Sequence, residues 1–201
     1  KAKEREEILE TGASIRVKLG EAKEILDSLN QPWRKISVVQ TDINACLMRA
    51  LQKNYMEVSI DASQTRIEVD DGVVFHTTLA NDLPSIQSSP DMLTEAFKVI
   101  VKNSLEAIKE KEKDKFMWID SSLKNDNIIM VNIRDSGTGI KKENFNKIFE
   151  LGWSSKKGMG MGFGLFWTKD FIEGLGGTIA LESVWQKGTT FHITIPLHKN
   201  H

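Results

Sequence analysis

The chain has 201 residues, 40% of them hydrophobic and 27% charged, with a formal net charge of −1. That is enough to bury a real core, and it gives no electrostatic reason to expect nucleic acid or an anionic membrane as partner. One cysteine, Cys46, excludes an internal disulfide and fits a reducing compartment.

In chain order, the first residues, KAKEREEILE, begin abruptly in a charged helical pattern, as expected of a piece of something longer. Residues 8–29 place small or apolar side chains at Ile8, Gly12, Ile15, Leu19, Ala22, Leu26 and Leu29. The alternating steps of four and three make a heptad seam that calls for a partner helix, so residues 1–40 are expected to form a helical dimerisation segment. An amphipathic helix lying on its own domain is the alternative reading. Asn30-Gln31-Pro32 interrupts the pattern, because proline lacks the N–H and clashes with the preceding turn.

A second apolar stripe, Ile36, Val39, Ile43, Leu47 and Leu51, predicts a helix running to about Lys53, with Cys46 as a small core residue in it. Residues 55–90 read as strands and turns, and VDDGVVF (69–75) sets an Asp-Gly pair between β-rich runs, a hairpin signal. Leu93, Ala96, Phe97, Ile100, Val101, Leu105 and Ile108 predict a helix over 93–108. MWIDSSL (117–123), the turn Asn125-Asp126-Asn127 and IIMVNIRD (128–135) predict a second hairpin. A short helix is expected at 143–150, a glycine-, serine- and lysine-rich loop at 152–161, and a helix at 163–175 ending at Gly176-Gly177. Strands at 178–184 and 189–196 complete a helical arm followed by an α/β sandwich, one mixed sheet with helices on one face. No apolar run reaches the length that spans a bilayer, and no signal peptide is visible.

Two strings carry the chemistry. DSGTGI (135–140) follows a predicted strand, and its carboxylate and near-adjacent glycines let backbone approach a flat polar ligand closely. GMGFGL (160–165) places glycine at every second position on the way into a helix, making a loop whose N–H groups can turn toward phosphate. Asn103 lies mid-helix, one position beyond the apolar stripe; alone it is a partly exposed helix residue, but its amide carbonyl also suits Mg²⁺ beside phosphates. In this order and spacing the three say that the chain binds a nucleotide.

The same strings resemble the Bergerat nucleotide-binding fold of the GHKL superfamily, which includes gyrase, heat-shock chaperone, histidine kinase and mismatch-repair ATPases. KVIVKNSLEAI (98–108) resembles its N box, DSGTGI its first glycine box, KIFELGWSSK (147–156) its F box, and GMGMGFGL (158–165) its second glycine box. GTTFHITIPL (188–197) resembles its terminal strand motif, and DLPSIQSSPDML (82–93) its connection into the N-box helix. The pattern is most similar to the catalytic, ATP-binding domain of sensor histidine kinases, and it makes residues 41–201 that domain.

The resemblance implies roles. Asp135 would accept a hydrogen bond from the adenine 6-amino group, and Gly137 and Gly139 would let the chain pass the base. Asn103 would coordinate Mg²⁺ bridging the phosphates of ATP. Gly160, Gly162 and Gly164, leading into Leu165, would shape a lid over them. Ser154 and Lys156 would meet the γ-phosphate end, with Lys156 offsetting the charge that develops in phosphoryl transfer. Phe149 would anchor the loop on the core. Trp153, Met159 and Met161 read as adaptable loop packing, or as contacts to the nucleotide or a docking partner.

Two positions depart from the pattern. Val99, four residues before Asn103, stands where the hydrolytic branches resemble one another in carrying glutamate, and valine cannot accept a proton. The phosphoacceptor histidine is also missing from the arm: the histidines are His76 and His192, in predicted strands, and His198 and His201, at the tail. DSLNQPW (27–33) resembles the acceptor motif with Asp27 in the place of histidine. In the alternative register, TDINACLMRAL (41–51) matches the segment leading into the catalytic domain, residues 1–35 resemble the second dimerisation helix, and the acceptor lies outside this chain. The interval from Asp27 to Asn103, short for the first register, favours the second.

The reading implied is the catalytic portion of a two-component histidine kinase, cytoplasmic either as a soluble protein or as the cytoplasmic part of a membrane-bound sensor, using Mg-ATP, paired as a homodimer and passing phosphoryl to a response-regulator receiver domain. It expects no nucleic acid and no membrane contact by this stretch. An ATP-binding pseudokinase switch, a GHKL ATPase and, more remotely, an anti-sigma-type serine kinase are the competing readings.

Overall fold

Period-two alternation in the second half of the chain is what builds the sheet. The computed structural model describes residues 37–54, 64–69, 72–154 and 162–197, and the heptad seam expected at 8–29 lies outside them. The elements are β1 (Val39–Thr41), α1 (Ile43–Asn54), β2 (Gln64–Val69), β3 (Val73–Leu79), β4 (Ile86–Ser88) and α2 (Pro90–Lys109). After them come β5 (Phe116–Lys124), β6 (Ile128–Asp135), α3 (Gly164–Gly174), β7 (Thr178–Val184) and β8 (Gly188–Pro196). Six strands form one sheet in the order β2-β3-β5-β6-β8-β7, and β1 pairs with β4 separately. Only β3 and β5 run parallel; the other pairs are antiparallel, so the sheet is mixed as expected.

Alternation sorts the two faces. Phe75, Met117, Ile119, Val131, Ile133 and Ile193 point inward and are buried with Leu93, Phe97, Ile100 and Ile108 of α2 and Ile172 of α3. Leu47 and Leu51 of α1 join the same core, as does Cys46, whose thiol burial pushes its pKa up and leaves it unreactive. The opposite face carries the polar positions. There His76 stacks on Trp118 at 5.9 Å, with the Arg134 guanidinium 4.6 Å over the same indole. Asn132 donates to Asp120 at 2.7 Å and meets His192 Nδ1 at 2.8 Å. His76 and His192 are therefore sheet residues.

Both hairpins form. Val69 pairs with Val73 in the first, and in the second Asn125 and Asp126 adopt φ of 51° and 55°, the left-handed pair that suits the twist of a tight hairpin. Several boundaries differ from expectation for identifiable reasons. Val39 belongs to a strand, not to the following helix: Asp42 caps that helix by accepting from Ala45 N at 3.1 Å, so it starts at Ile43. The next helix begins at Pro90, three residues early, because Ser89 accepts from Met92 N and Pro90 fits the first turn. The expected helix at 143–150 is two separate 3-10 turns, Lys142–Asn144 and Lys147–Phe149. The final helix ends as expected, with Gly176 at φ 81° just beyond it.

Phe97 is fully buried at the centre of the interface between α2 and the sheet. Phe97→Ala is expected to lower stability by about 3–5 kcal/mol, read as a fall in the urea midpoint at unchanged slope.

Candidate nucleotide site

One stretch of α2 holds the candidate residues together. At one end, Gly137 packs so close to the helix that an added Cβ would stand 2.7 Å from the carbonyl carbon and Cβ of Ala107. Thr138 N donates to Ala107 O at 3.2 Å. Eight residues earlier, about 12 Å along the axis, Val99 meets the start of α3: a Cβ on Gly164 would lie 3.0 Å from Val99 Cγ1. Asn103 sits between them, half-buried. Its Nδ2 donates to Val99 O at 2.9 Å, which fixes the amide and leaves Oδ1 as its acceptor.

Asp135 closes β6 and is 3% exposed. Its Oδ1 accepts from Gly137 N at 2.8 Å and from Thr189 N at 3.2 Å. Burial pushes the carboxyl up from 3.8 to about 6, against the opposing pull of the Gly137 N–H, the Ser104 hydroxyl, the Thr189 N–H and the Lys111 charge. Ser104, on α2, is itself 1% exposed, and its hydroxyl favours the ionised form of the Asp135 carboxyl.

The turn between β7 and β8 clasps the glycine loop. Gln186 N donates to Thr138 O at 2.6 Å, and Ile140 N donates to Ser183 Oγ at 2.8 Å. Ser183 Oγ donates to Gly188 O at 2.9 Å and meets Thr189 Oγ1 at the same distance. Gly139, at φ 68°, lies where a Cβ would be 2.3 Å from Val184 O. The two glycines of this loop are thus required by protein packing, Gly137 against α2 and Gly139 against the hairpin. Lys141 Nζ lies 5.2 Å over the Trp185 ring, on the same side of the clasp.

The second glycine string is described only from Gly162. Gly162 N-terminally adjoins the helix at φ 64°, with no room for a Cβ beside Trp153 O, and its carbonyl accepts from Gly152 N at 3.2 Å. The two stems of the loop therefore meet. Gly164 opens α3, and Leu165 packs partly buried against the core. Phe149 also packs against that core, under Lys169 Nζ at 5.5 Å. Ser154 is the last described residue before the loop, and Lys156 and Gly160 lie outside the described residues. The structure therefore brings together Asn103, Asp135, Gly137 and Gly139, with Gly164 at the far end of the same helix wall.

Residues 88–199 match the model of the histidine kinase-, DNA gyrase B-, and HSP90-like ATPase family. The chain belongs to that family. Its ATP-binding domain is of the sensor histidine kinase kind. It is 32% identical over 160 residues to sporulation kinase B of Bacillus subtilis (strain 168), covering 76% of this chain and 36% of that protein. It is 29% identical over 122 residues to sporulation kinase E of the same organism, covering 61% of this chain and 16% of that protein. With the sensor histidine kinase ZraS of Escherichia coli (strain K12) the identity is 28% over 163 residues, 81% of this chain and 32% of the other. The chain thus spans about a third or less of these relatives' length. The fold matches the mycobacterial sensor histidine kinase MprB with a TM-score of 0.62 at 19% identity, covering 80% of this chain and 97% of that one. Among the described residues no helix is long and apolar enough to cross a membrane.

Sequence reasoning missed Ser104, Ser183 and Thr189. Ser104 had a visible signal: it stands seven residues after Phe97, on the inward stripe of α2, where a hydroxyl has no reason to be unless something polar faces it. Ser183 and Thr189 carried none, since each matters only through pairing of distant strands.

The Asp135 carboxyl sets a pH dependence. Its folded value, about 6, lies above the ordinary 3.8, so the folded state holds the proton more tightly. The stabilisation is fully present below about pH 4 and is lost as pH rises through about 6, a difference of about 3 kcal/mol. Asp135→Asn keeps an acceptor for both backbone N–H groups and is expected to remove this slope, as measured by urea denaturation across that interval.

Proposed function

We propose that this chain is the ATP-binding, catalytic portion of a two-component sensor histidine kinase, which delivers the γ-phosphoryl of Mg-ATP to a histidine on a dimerisation helix. The observation that carries the reading is the buried Asp135 carboxyl. Both backbone N–H groups fall on Oδ1, which leaves the other oxygen to accept from the adenine 6-amino group. An ionised carboxylate requires a donor opposite it, so it favours adenine over guanine.

The residues present fit an adenine nucleotide with its cation. The base would lie at the Asp135 end of the α2 wall beside Gly137 and Gly139. The phosphates would run toward Gly162, Gly164 and Leu165 at the start of α3, with Gly160 assigned to the lid by the family resemblance. Asn103, its Nδ2 held by Val99 O, presents an uncharged oxygen suited to Mg²⁺. When bound, that cation neutralises phosphate charge and so assists transfer. Ser154 and Lys156 would meet the γ-phosphate end as the family resemblance implies, with Asn103 and Lys156 as the groups assigned to the chemistry. The rest of the reading is that residues 1–40 pair two copies, residues 41–201 bind nucleotide, and a response-regulator receiver domain takes the phosphoryl group. The setting is cytoplasmic, where ATP and that partner are found.

Val99 argues against a water-hydrolysing ATPase. It packs on Gly164 with aliphatic carbon, where a general base would be needed to activate water. The same residue favours the second reading, an ATP-binding pseudokinase whose nucleotide state acts as a conformational switch.

Incubation with γ-labelled Mg-ATP and a supplied acceptor helix decides among these. Acid-labile label on the helix histidine is expected, and Asp135→Asn and Asn103→Ala are each expected to reduce it at least tenfold. ATP binding without transfer to any acceptor would establish the switch. Phosphate release without protein label would establish hydrolysis, and label on this chain would place the nucleophile at Asp27 or His76.

A further inference from the structure

Asp135, Thr189 and Ser183 form one row across three neighbouring strands. Asp135 of β6 faces Thr189 of β8, and Thr189 faces Ser183 of β7. Directly opposed residues share a face of a sheet, so all three belong to the side on which α2 packs. At the end of the row the Ser183 hydroxyl is saturated. Its one proton goes to Gly188 O at 2.9 Å. Its two lone pairs take the Ile140 N–H at 2.8 Å and the Thr189 hydroxyl at 2.9 Å. Thr189 is the donor in the last of these, because Ser183 has no second proton to give.

Each of those partners borders the candidate site. Ile140 ends the glycine string that starts at Asp135. Gly188, at φ 133°, passes Asp135 so closely that a Cβ would stand 2.0 Å from its carbonyl oxygen. Thr189 N donates to the Asp135 carboxyl at 3.2 Å. The other ties between hairpin and loop are the backbone bond from Gln186 N to Thr138 O and the Lys141–Trp185 pair. Ser183 is thus the side chain that joins the glycine loop to the strand holding the carboxyl.

We infer that Ser183 is a positioning residue of the nucleotide site, whose hydroxyl fixes the strip from Gly137 to Ile140 relative to the Asp135 carboxyl before nucleotide arrives. The inference rests on the adenine reading proposed above and extends it to a residue outside the contact shell. A hydroxyl with every hydrogen-bonding position filled has none left for a ligand, so its effect on binding passes through the groups it holds. The physical basis is conformational freedom. Glycine has more of it to lose than any other residue, and a loop already fixed in place does not lose it again on binding. Without the hydroxyl, Ile140 N–H and Gly188 O are left without this partner, and ordering the loop becomes part of the binding step.

The test is calorimetric titration of the full chain with Mg-ATP, alongside urea denaturation. Ser183→Ala is expected to raise the Kd for ATP about tenfold, equivalent to about 1.4 kcal/mol. Ser183→Thr keeps the hydroxyl on a side chain that suits a strand and is expected to bind as the wild type does. A merely structural serine would lower the urea midpoint of Ser183→Ala and leave the Kd of the folded chain unchanged. That outcome overturns the inference, as does a Ser183→Thr variant that loses as much affinity as Ser183→Ala. If Ser183→Ala fails to fold, amide exchange in the nucleotide-free wild-type chain still decides. The Ile140 N–H is expected to exchange at least about tenfold more slowly than an open loop amide, and exchange at the open rate overturns the inference. Failure of the adenine reading is separately recognisable, because the wild-type chain would then bind ATP no better than GTP.

Discussion

A carboxyl buried in an apolar sandwich must be met by the backbone, and the geometry around Asp135 follows from meeting it. Its Oδ1 takes N–H groups from Gly137, two residues on, and from Thr189, at the start of β8. The first bond bends the chain off the end of β6 into the glycine loop. The second ties that bend to a strand from the far end of the sequence. Because the loop is pulled in this tightly, it lies against Ala107 on one side and Val184 on the other, and neither contact has room for a Cβ. The carboxyl remains strained by burial even so, with its pKa held near 6.

The α2 helix is the second constraint, since both ends of the candidate site are read from it. Its N-terminal half meets α3 through Val99 and Gly164, and its C-terminal half meets the glycine loop through Ala107. A helix is the stiffest element available for holding two loops a fixed distance apart. Val99 therefore has a packing role of its own. It supplies the aliphatic contact on which the first turn of α3 rests, and Gly164 is the residue small enough to accept it.

Much of this was legible in the sequence, and the exceptions have physical causes. Alternation exposed the strands 117–123, 128–135, 178–184 and 189–196, because one face is buried and the other is not. The apolar stripe exposed α2, and the glycine strings with Asn103 and Asp135 pointed to a nucleotide. The errors came where a cap or a short strand overruled periodicity: Val39 fits a helical stripe but pairs with Ser88 in β1–β4, and Asp42 starts the helix behind it. At 143–150 two 3-10 turns replace the helix. Ser183 and Thr189 stayed hidden because their work depends on cross-strand register, which composition does not encode. The heptad seam, Lys156 and Gly160 lie outside the described residues, so the arm and the lid rest on sequence alone.

The bond from Thr189 to Asp135 spans 54 residues, and this orders events during synthesis. A ribosome makes α2, β6 and the glycine loop well before it makes β8. Until Thr189 emerges, the Asp135 carboxyl lacks one of its two backbone partners, and the clasp formed by Ser183, Gln186 and Gly188 does not exist. The parallel pairing of β3 with β5 closes earlier, around α2 as its crossover. A nascent chain can therefore acquire its core in sequence, but the pocket around the carboxyl is a late acquisition. The pocket is complete only once β8 has been made.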